Sequence, residues 1–209
     1  FRIKLGDITG AYLITYRTDL NDQLVEKTYT NMAIVKSDQP SFELTTTVSP
    51  AYGGEYTKKQ AVQDSSNPRL VDWRININYA QSTVSNVSLK DTPSKNQAIQ
   101  KDSFRLYATT ASAGQIQKGN LLEEGKDYTL AFTENPDGSE SFTLTFTAEQ
   151  IDRAFILEYR TYILYKDDGY ISNDATFTGD ETVHVPTDSS VRERIQLSGI
   201  EGGIDGKVG

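Results

Sequence analysis

Val71-Asp72-Trp73-Arg74-Ile75-Asn76-Ile77-Asn78-Tyr79 places an apolar side chain at every odd position and a polar one at every even position. A period of two marks a strand with one buried and one wet face, and here it turns Trp73 inward. Similar runs cover Val84 to Asp91, Phe104 to Thr110, Tyr128 to Thr133, Ser141 to Phe146, Ala154 to Tyr165 and Tyr170 to Thr178. Turn residues separate them, as in Asn135-Pro136-Asp137-Gly138 and Asp167-Asp168-Gly169. No amphipathic run is long enough for a core helix. Thr147 to Arg153 is expected to make at most a turn or two of helix, with Thr147 as N-cap and Gln150 at the capping-box position. Many short strands without alternating helices specify an all-β sandwich or barrel. Residues from about 41 to 182 are expected to form two sheets of roughly seven to nine strands in all, with Trp73 between them.

Composition narrows the function. Charged residues make up 24% of the 209 and hydrophobic ones 36%, which leaves enough apolar surface for a core. The 12 Tyr and 8 Phe argue against disorder, which is aromatic-poor. Net charge is −8, from 21 basic and 29 acidic residues, whereas a nucleic-acid binder shows a basic face. No run approaches the roughly 18 apolar residues of a membrane-spanning helix, so neither a nucleic-acid partner nor membrane insertion is expected. Cysteine is absent, which excludes disulfides, thiolate zinc sites and a cysteine nucleophile. The single histidine, His184, lies beside Val185-Pro186, where neither a Ser-His-Asp triad nor a multi-histidine metal site is expected. No cofactor or metal is expected. Asp137, Asp167 and Asp168 read as turn formers rather than calcium ligands. A glycosidase or carbohydrate-binding sandwich would draw on the carboxylates, but no pair is placed at a catalytic separation by the sequence.

An internal repeat divides the chain. Ala11-Tyr-Leu-Ile-Thr-Tyr-Arg-Thr18 matches Ala154-Phe-Ile-Leu-Glu-Tyr-Arg-Thr161 at an offset of 143 residues (154 − 11). Phe1-Arg-Ile-Lys-Leu5 answers Phe142-Thr-Leu-Thr-Phe146, and Tyr29-Thr-Asn-Met-Ala33 answers Ile171-Ser-Asn-Asp-Ala175. Residues 1–38 therefore read as the last strands of a preceding, truncated module, and residues 40–182 as one complete module. Residues 183–209 read as a linker with the first strand of a following module in Val191 to Leu197, ending in a glycine-rich tail from Ser198 to Gly209. No signal peptide is visible and the chain opens in mid-pattern at Phe1, so it reads as part of something longer.

Polar residues stand where apolar ones are expected. Val87 and Leu89 face inward, and Asp91 follows in phase; Ile171, Ala175 and Phe177 share a face with Asn173. Asn31 repeats that placement among Tyr29, Ala33 and Val35. A buried carboxyl or carboxamide without a partner costs about 1–3 kcal/mol, so each needs one. A turn-associated Asp91 and a backbone-bonded Asn173 would satisfy that need. The recurrence of the asparagine at Asn31 points instead to a role common to both modules.

Leu70-Val-Asp-Trp-Arg-Ile-Asn-Ile-Asn78, Val87-Ser-Leu-Lys-Asp-Thr92 and Tyr170-Ile-Ser-Asn-Asp-Ala175 resemble the collagen-binding-type modules of Gram-positive cell-wall adhesins. The resemblance covers most of residues 41–182. It implies a variant (DE-variant) immunoglobulin-like sandwich, often closed by a spontaneous Lys–Asn isopeptide bond. In that family a lysine before the Trp strand heads a Lys-(four residues)-Asp stretch, and Lys59-Gln-Ala-Val-Gln-Asp64 fits it without the glycine often found second after the lysine. The promoting acid matches Asp91 and the asparagine matches Asn173. Strand phase favours Lys58, in step with Tyr56 and Val62; the spacing to Asp64 favours Lys59 and is given more weight, since a bulge shifts phase. Asn31 is the preceding module's counterpart, and no bond from it to a lysine of residues 41–209 is expected.

The resemblance also implies the chemistry and the setting. Burial lowers a lysine pKa and raises that of an aspartic acid, which leaves a neutral amine beside a protonated acid. The expected step is attack of the amine on the Asn173 side-chain carbon, with Asp91 polarising the carbonyl and ammonia leaving. It happens once per molecule, so the module is not a turnover enzyme. The implied role is a structural, adhesive module of a wall-anchored, extracellular protein, with neighbouring modules as partners. The alternative is direct binding of a host matrix protein of collagen or fibrinogen type, to which the Tyr-rich stretch Tyr159 to Tyr170 would lend contacts.

Overall fold

The computed structural model describes residues 1–20, 23–180 and 188–197. His184 and the glycine-rich stretch from Ser198 lie outside the described residues. The described strands are β1 (Tyr29–Val35), β2 (Phe42–Val48), β3 (Thr57–Gln63), β4 (Leu70–Ile77), β5 (Val84–Ser85), β6 (Ser88–Pro93) and β7 (Gln97–Ser112). There follow β8 (Gln115–Leu121), β9 (Tyr128–Glu134), β10 (Glu140–Phe146), β11 (Gln150–Ile151), β12 (Phe155–Ile163), β13 (Gly169–Thr178) and β14 (Asp188–Ile195).

Two five-stranded antiparallel sheets form an immunoglobulin-like sandwich. One runs β14-β13-β6-β10-β9 and the other β3-β4-β12-β7-β8. The alternation read from the sequence sets their inner faces: β4 buries Val71, Trp73, Ile75 and Ile77, and β13 buries Ile171, Asn173, Ala175 and Phe177. Leu89, Phe142 and Leu144 meet Trp73, Leu106, Leu157 and Tyr159 in one core. Trp73 is 1% exposed, and its Nε1 donates to Thr161 Oγ1 at 2.8 Å, which satisfies the one polar atom that burying the indole would strand.

Within residues 41–182 the two sheets hold nine strands, as expected, and β14 from beyond that span is the tenth; several other expectations are corrected. The expected strand Val84 to Asp91 is two. It breaks at Asn86, whose φ of 51° lies in the left-handed region that asparagine tolerates. Thr147 to Arg153 forms no helix: Ile151 is buried opposite Val84, and the segment pairs as β11 with β5. The strand expected to open a following module is β14. It hydrogen-bonds along β13 from Gly169↔Ile195 to Thr176↔Asp188, because β13 would otherwise present an open edge.

Residues 1–20 form no strand, although 1–5 and 11–18 alternate like strands. No described strand offers them a ladder, and an extended segment without one leaves its backbone groups to water. β1 pairs with β2 alone, leaving Met32, Ile34, Phe42, Leu44 and Val48 exposed. The chain between them and the sandwich is anchored. Gly54 N donates to Val25 O at 2.9 Å, and a Cβ on Gly53 would stand 2.3 Å from Glu26 O, a closeness only glycine permits.

Candidate functional site

Three polar side chains meet between the sheets. Lys59 stands on β3 opposite Ile75 of β4. Asp91 stands on β6, flanked by Phe142 of β10 and Ala175 of β13. Asn173 stands on β13 opposite Pro93. The Lys59 and Asp91 side chains have no solvent exposure, and Asn173 has none either. Lys59 Nζ donates to Asp91 Oδ2 in a buried ion pair that joins the two sheets.

A fourth group, absent from the sequence-based set, ties the three together. The Tyr159 hydroxyl, from β12, donates to Asp91 Oδ1 at 2.8 Å. It accepts from Asn173 Nδ2 at 2.5 Å and from Lys59 Nζ at 3.3 Å. Aromatic rings wall the cluster. Lys59 Nζ lies 5.0 Å from the Trp73 ring centre and 5.7 Å from that of Tyr159. Phe104 stacks on Tyr159 and Phe142 meets it edge-on, both at 5.0 Å. Thr161 Oγ1, which holds Trp73, donates to Gln97 Oε1 at 2.8 Å, and Gln97 Nε2 reaches Ser172 O at 2.9 Å. That chain of hydrogen bonds fixes the Trp73 ring and the backbone beside Asn173 together.

The dry surroundings shift every titratable group. Burial drives the Lys59 pKa down to about 8, against the pull of the Asp91 charge and hydrogen bond. Burial raises the Asp91 carboxyl, opposed by Lys59 and by hydrogen bonds from Tyr159 and Asn173. Burial and then the Asp91 charge push Tyr159 well above its ordinary value, so its proton stays on. Burial thus shifts the amine toward its neutral form and the carboxyl toward its protonated form, with one hydrogen bond between them.

Asn173 is not oriented as the sequence reading expected. Its amide nitrogen, rather than its carbonyl, faces Tyr159 and Asp91, and its Oδ1 is buried without a hydrogen-bond partner. The physical reason is local: the Asp91 and Tyr159 oxygens facing Asn173 are acceptors and draw the N–H group. The orphaned carbonyl costs about 1–3 kcal/mol, and it lacks the hydrogen-bond donor that would polarise its carbon toward attack.

Other sequence candidates fall elsewhere. Lys58 points outward, its side chain 57% exposed and 4.0 Å from Glu55. The strand-phase argument for Lys58 fails because the chain bends at Tyr56 before β3 begins, and because Val62 is 64% exposed. Asp64 Oδ1 accepts from Ser66 N and Asn67 N and closes a turn. Asp137 does the same for Ser139, and Asp168 Oδ1 accepts from Leu197 N. Of the tyrosines expected to reach a partner, Tyr159 is buried, whereas Tyr165 and Tyr170 are half exposed. Asn31 lies on β1 opposite Thr46, is exposed, and donates to Tyr16 Oη at 2.5 Å.

Known proteins resemble this chain. The model of the collagen binding domain family matches residues 54–188. The collagen-binding domain of a Staphylococcus aureus adhesin is similar at 13% identity and a TM-score of 0.42, over 66% of this chain and 95% of that one. The collagen-binding subdomain of the Enterococcus faecalis surface protein ACE is similar at 16% identity and 0.41, over 66% and 92%. The collagen binding domain of the Erysipelothrix rhusiopathiae surface protein RspB shares 13% identity at 0.46, over 83% of this chain and 61% of that one. No curated protein matches the sequence. By the match over residues 54–188, the chain belongs to the collagen binding domain family.

Proposed function

We propose that this chain is an extracellular adhesive module of a Gram-positive surface protein, stapled by an isopeptide bond between Lys59 and Asn173 that Asp91 promotes. The observation carrying the proposal is the single buried cluster in which an amine shifted toward its neutral form, a carboxyl shifted toward its protonated form and a carboxamide share partners. Buried apart, each would pay for its own desolvation. Together they are set for reaction: Lys59 Nζ attacks Asn173 Cγ, Asp91 handles the proton, and ammonia departs. The bond forms once, so this is self-modification without turnover. By the repeat, residues 1–38 belong to a preceding module, and the Tyr16–Asn31 contact supports that reading.

Intact mass tests the bond. The wild-type chain is expected one ammonia lighter than its sequence mass, Lys58→Ala likewise, and Lys59→Ala at full mass. Ammonia loss by Lys59→Ala but not by Lys58→Ala would make Lys58 the nucleophile. A wild type at full mass would end the proposal.

The rate carries a pH signature. Attack needs a neutral Lys59 amine beside a protonated Asp91, and together the two share a single proton. Lys59 titrates at about 8, above which that shared proton leaves and Asp91 has none to give. Chains refolded from urea are therefore expected to lose ammonia at a rate that falls about tenfold per pH unit above about 8. A rate that still rises at about pH 9, roughly one unit beyond that value, would contradict the assignment.

Family membership favours a second reading beside the first, in which the module helps hold a host matrix protein. Binding of the chain to immobilised collagen or fibrinogen tests it.

A further inference from the structure

Two tyrosine–asparagine pairs carry the inference. Tyr159 Oη accepts from Asn173 Nδ2 at 2.5 Å inside the sandwich. Tyr16 Oη accepts from Asn31 Nδ2 at the same 2.5 Å. Tyr16 holds in Ala11 to Thr18 the position that Tyr159 holds in Ala154 to Thr161, and Asn31 is the counterpart of Asn173. The first pair is buried in the core and the second is exposed on a chain segment with no core around it. Packing therefore cannot be the common cause of the contact. The repeat preserves a hydroxyl against the carboxamide nitrogen in both settings.

That nitrogen is the leaving group of the proposed reaction. Converting the Lys59 amine and the Asn173 carboxamide into a secondary amide requires one proton to leave Nζ and one to arrive at Nδ2. Asp91 touches Lys59 through Oδ2 and Tyr159 through Oδ1, and Asn173 also hydrogen-bonds the Asp91 carboxyl. The Tyr159 hydroxyl stands between Asp91 and the departing nitrogen, at 2.8 Å from Oδ1 and 2.5 Å from Nδ2.

We propose that Tyr159 is a catalytic residue of the self-stapling reaction, the relay that carries a proton from Asp91 to the departing nitrogen of Asn173. The inference rests on the isopeptide reading above. The Nζ–Cγ bond forms and Lys59 Nζ passes one proton to Asp91 Oδ2. As the attacked nitrogen becomes a proton acceptor, the Tyr159 hydroxyl turns its proton from Asp91 Oδ1 to Nδ2. Asp91 Oδ1 then gives its own proton to Tyr159 Oη, and the Tyr159 proton moves to Nδ2. The Cγ–Nδ2 bond breaks and ammonia leaves. Asp91 and Tyr159 end neutral, as they began, with the carboxyl proton on the other oxygen. No oxidant, metal or cofactor enters the balance.

Tyr159→Phe keeps the ring against Phe104, Phe142 and Trp73 and removes only the hydroxyl. Full-length chains recovered unfolded in urea are refolded by dilution, and ammonia loss is followed by intact mass while Trp73 fluorescence reports folding. Wild type is expected to lose ammonia as it folds. Tyr159→Phe is expected to fold and lose ammonia about 100-fold more slowly or worse, the scale of lost general acid catalysis. A Tyr159→Phe chain that staples at the wild-type rate overturns the relay and leaves the isopeptide intact. A wild type that never loses ammonia removes the isopeptide and the relay with it. If Tyr159→Phe does not fold, the wild-type rate against the fraction of heavy water decides: a relay with several protons in flight gives a curve, and a straight line overturns it.

Discussion

Asp91→Ala is expected to fold, to keep the ammonia that wild type loses, and to melt about 10–20 °C lower. The bond would close a loop of 114 residues, counted from Lys59 to Asn173 (173 − 59). Treated as a cross-link on the unfolded chain, such a loop is worth about 5 kcal/mol. In a domain of this size each kcal/mol moves the midpoint by roughly 2–4 °C. The substitution does not simply strand a buried cation. Asp91 is the group that raises the Lys59 pKa against burial, so its removal lets the amine fall further toward neutrality, with the Tyr159 hydroxyl still beside it. Asp91→Ala thus holds a more neutral nucleophile than wild type and lacks only the proton carrier. Its failure to staple would show that neutrality alone is insufficient. Calorimetry and intact mass on the same sample check both halves. A full-mass Asp91→Ala chain melting with wild type would mean that the bond adds no stability.

The strands were legible because most have one wet face, and the alternation around Trp73 survives intact in β4. Legibility failed where local geometry outweighs pattern. Asn86 splits one apolar run between two sheets through a single positive φ, which composition does not announce. β8, Gln115–Leu121, is an edge strand with little apolar content and hence little period to read. Asp91 and Asn173 were recoverable as polar residues in apolar phase, since a buried face tolerates few of them. Lys59 was recoverable from its spacing to Asp64, but phase pointed to Lys58, because the bend at Tyr56 resets the alternation just before β3. Tyr159 was missed although its signal was present. A tyrosine passes as an ordinary core residue, and only its repetition at Tyr16, together with Asn31, marks the hydroxyl as more than packing. The role of β14 was open in the sequence, because an alternating tail reads the same whether it closes one module or starts the next.

Pulled from its ends, the wild-type chain is expected to withhold an extension that Asp91→Ala releases. The N-terminal side of the sandwich enters at β3 and the chain leaves through β14 after β13, so Lys59 and Asn173 stand near the two points where tension enters and exits. These two strands belong to different sheets. Without a bond, load passes from β3 into β4 and from β14 into β13 through hydrogen-bonded ladders, and once these yield the loop between the two residues runs out to roughly 400 Å at about 3.5 Å per residue. With the bond, load crosses directly from one sheet to the other through covalent atoms, and the loop carries none of it. Single-molecule stretching of the chain with handles at both ends should therefore show a large step in Asp91→Ala and in Lys59→Ala that is missing from wild type. β14 and the β1–β2 hairpin lie outside the loop and should extend alike in all three, providing an internal standard for each trace. A wild-type chain that gives the same large step would place the load path through the sheets, and a staple at Lys59 would then have no mechanical role.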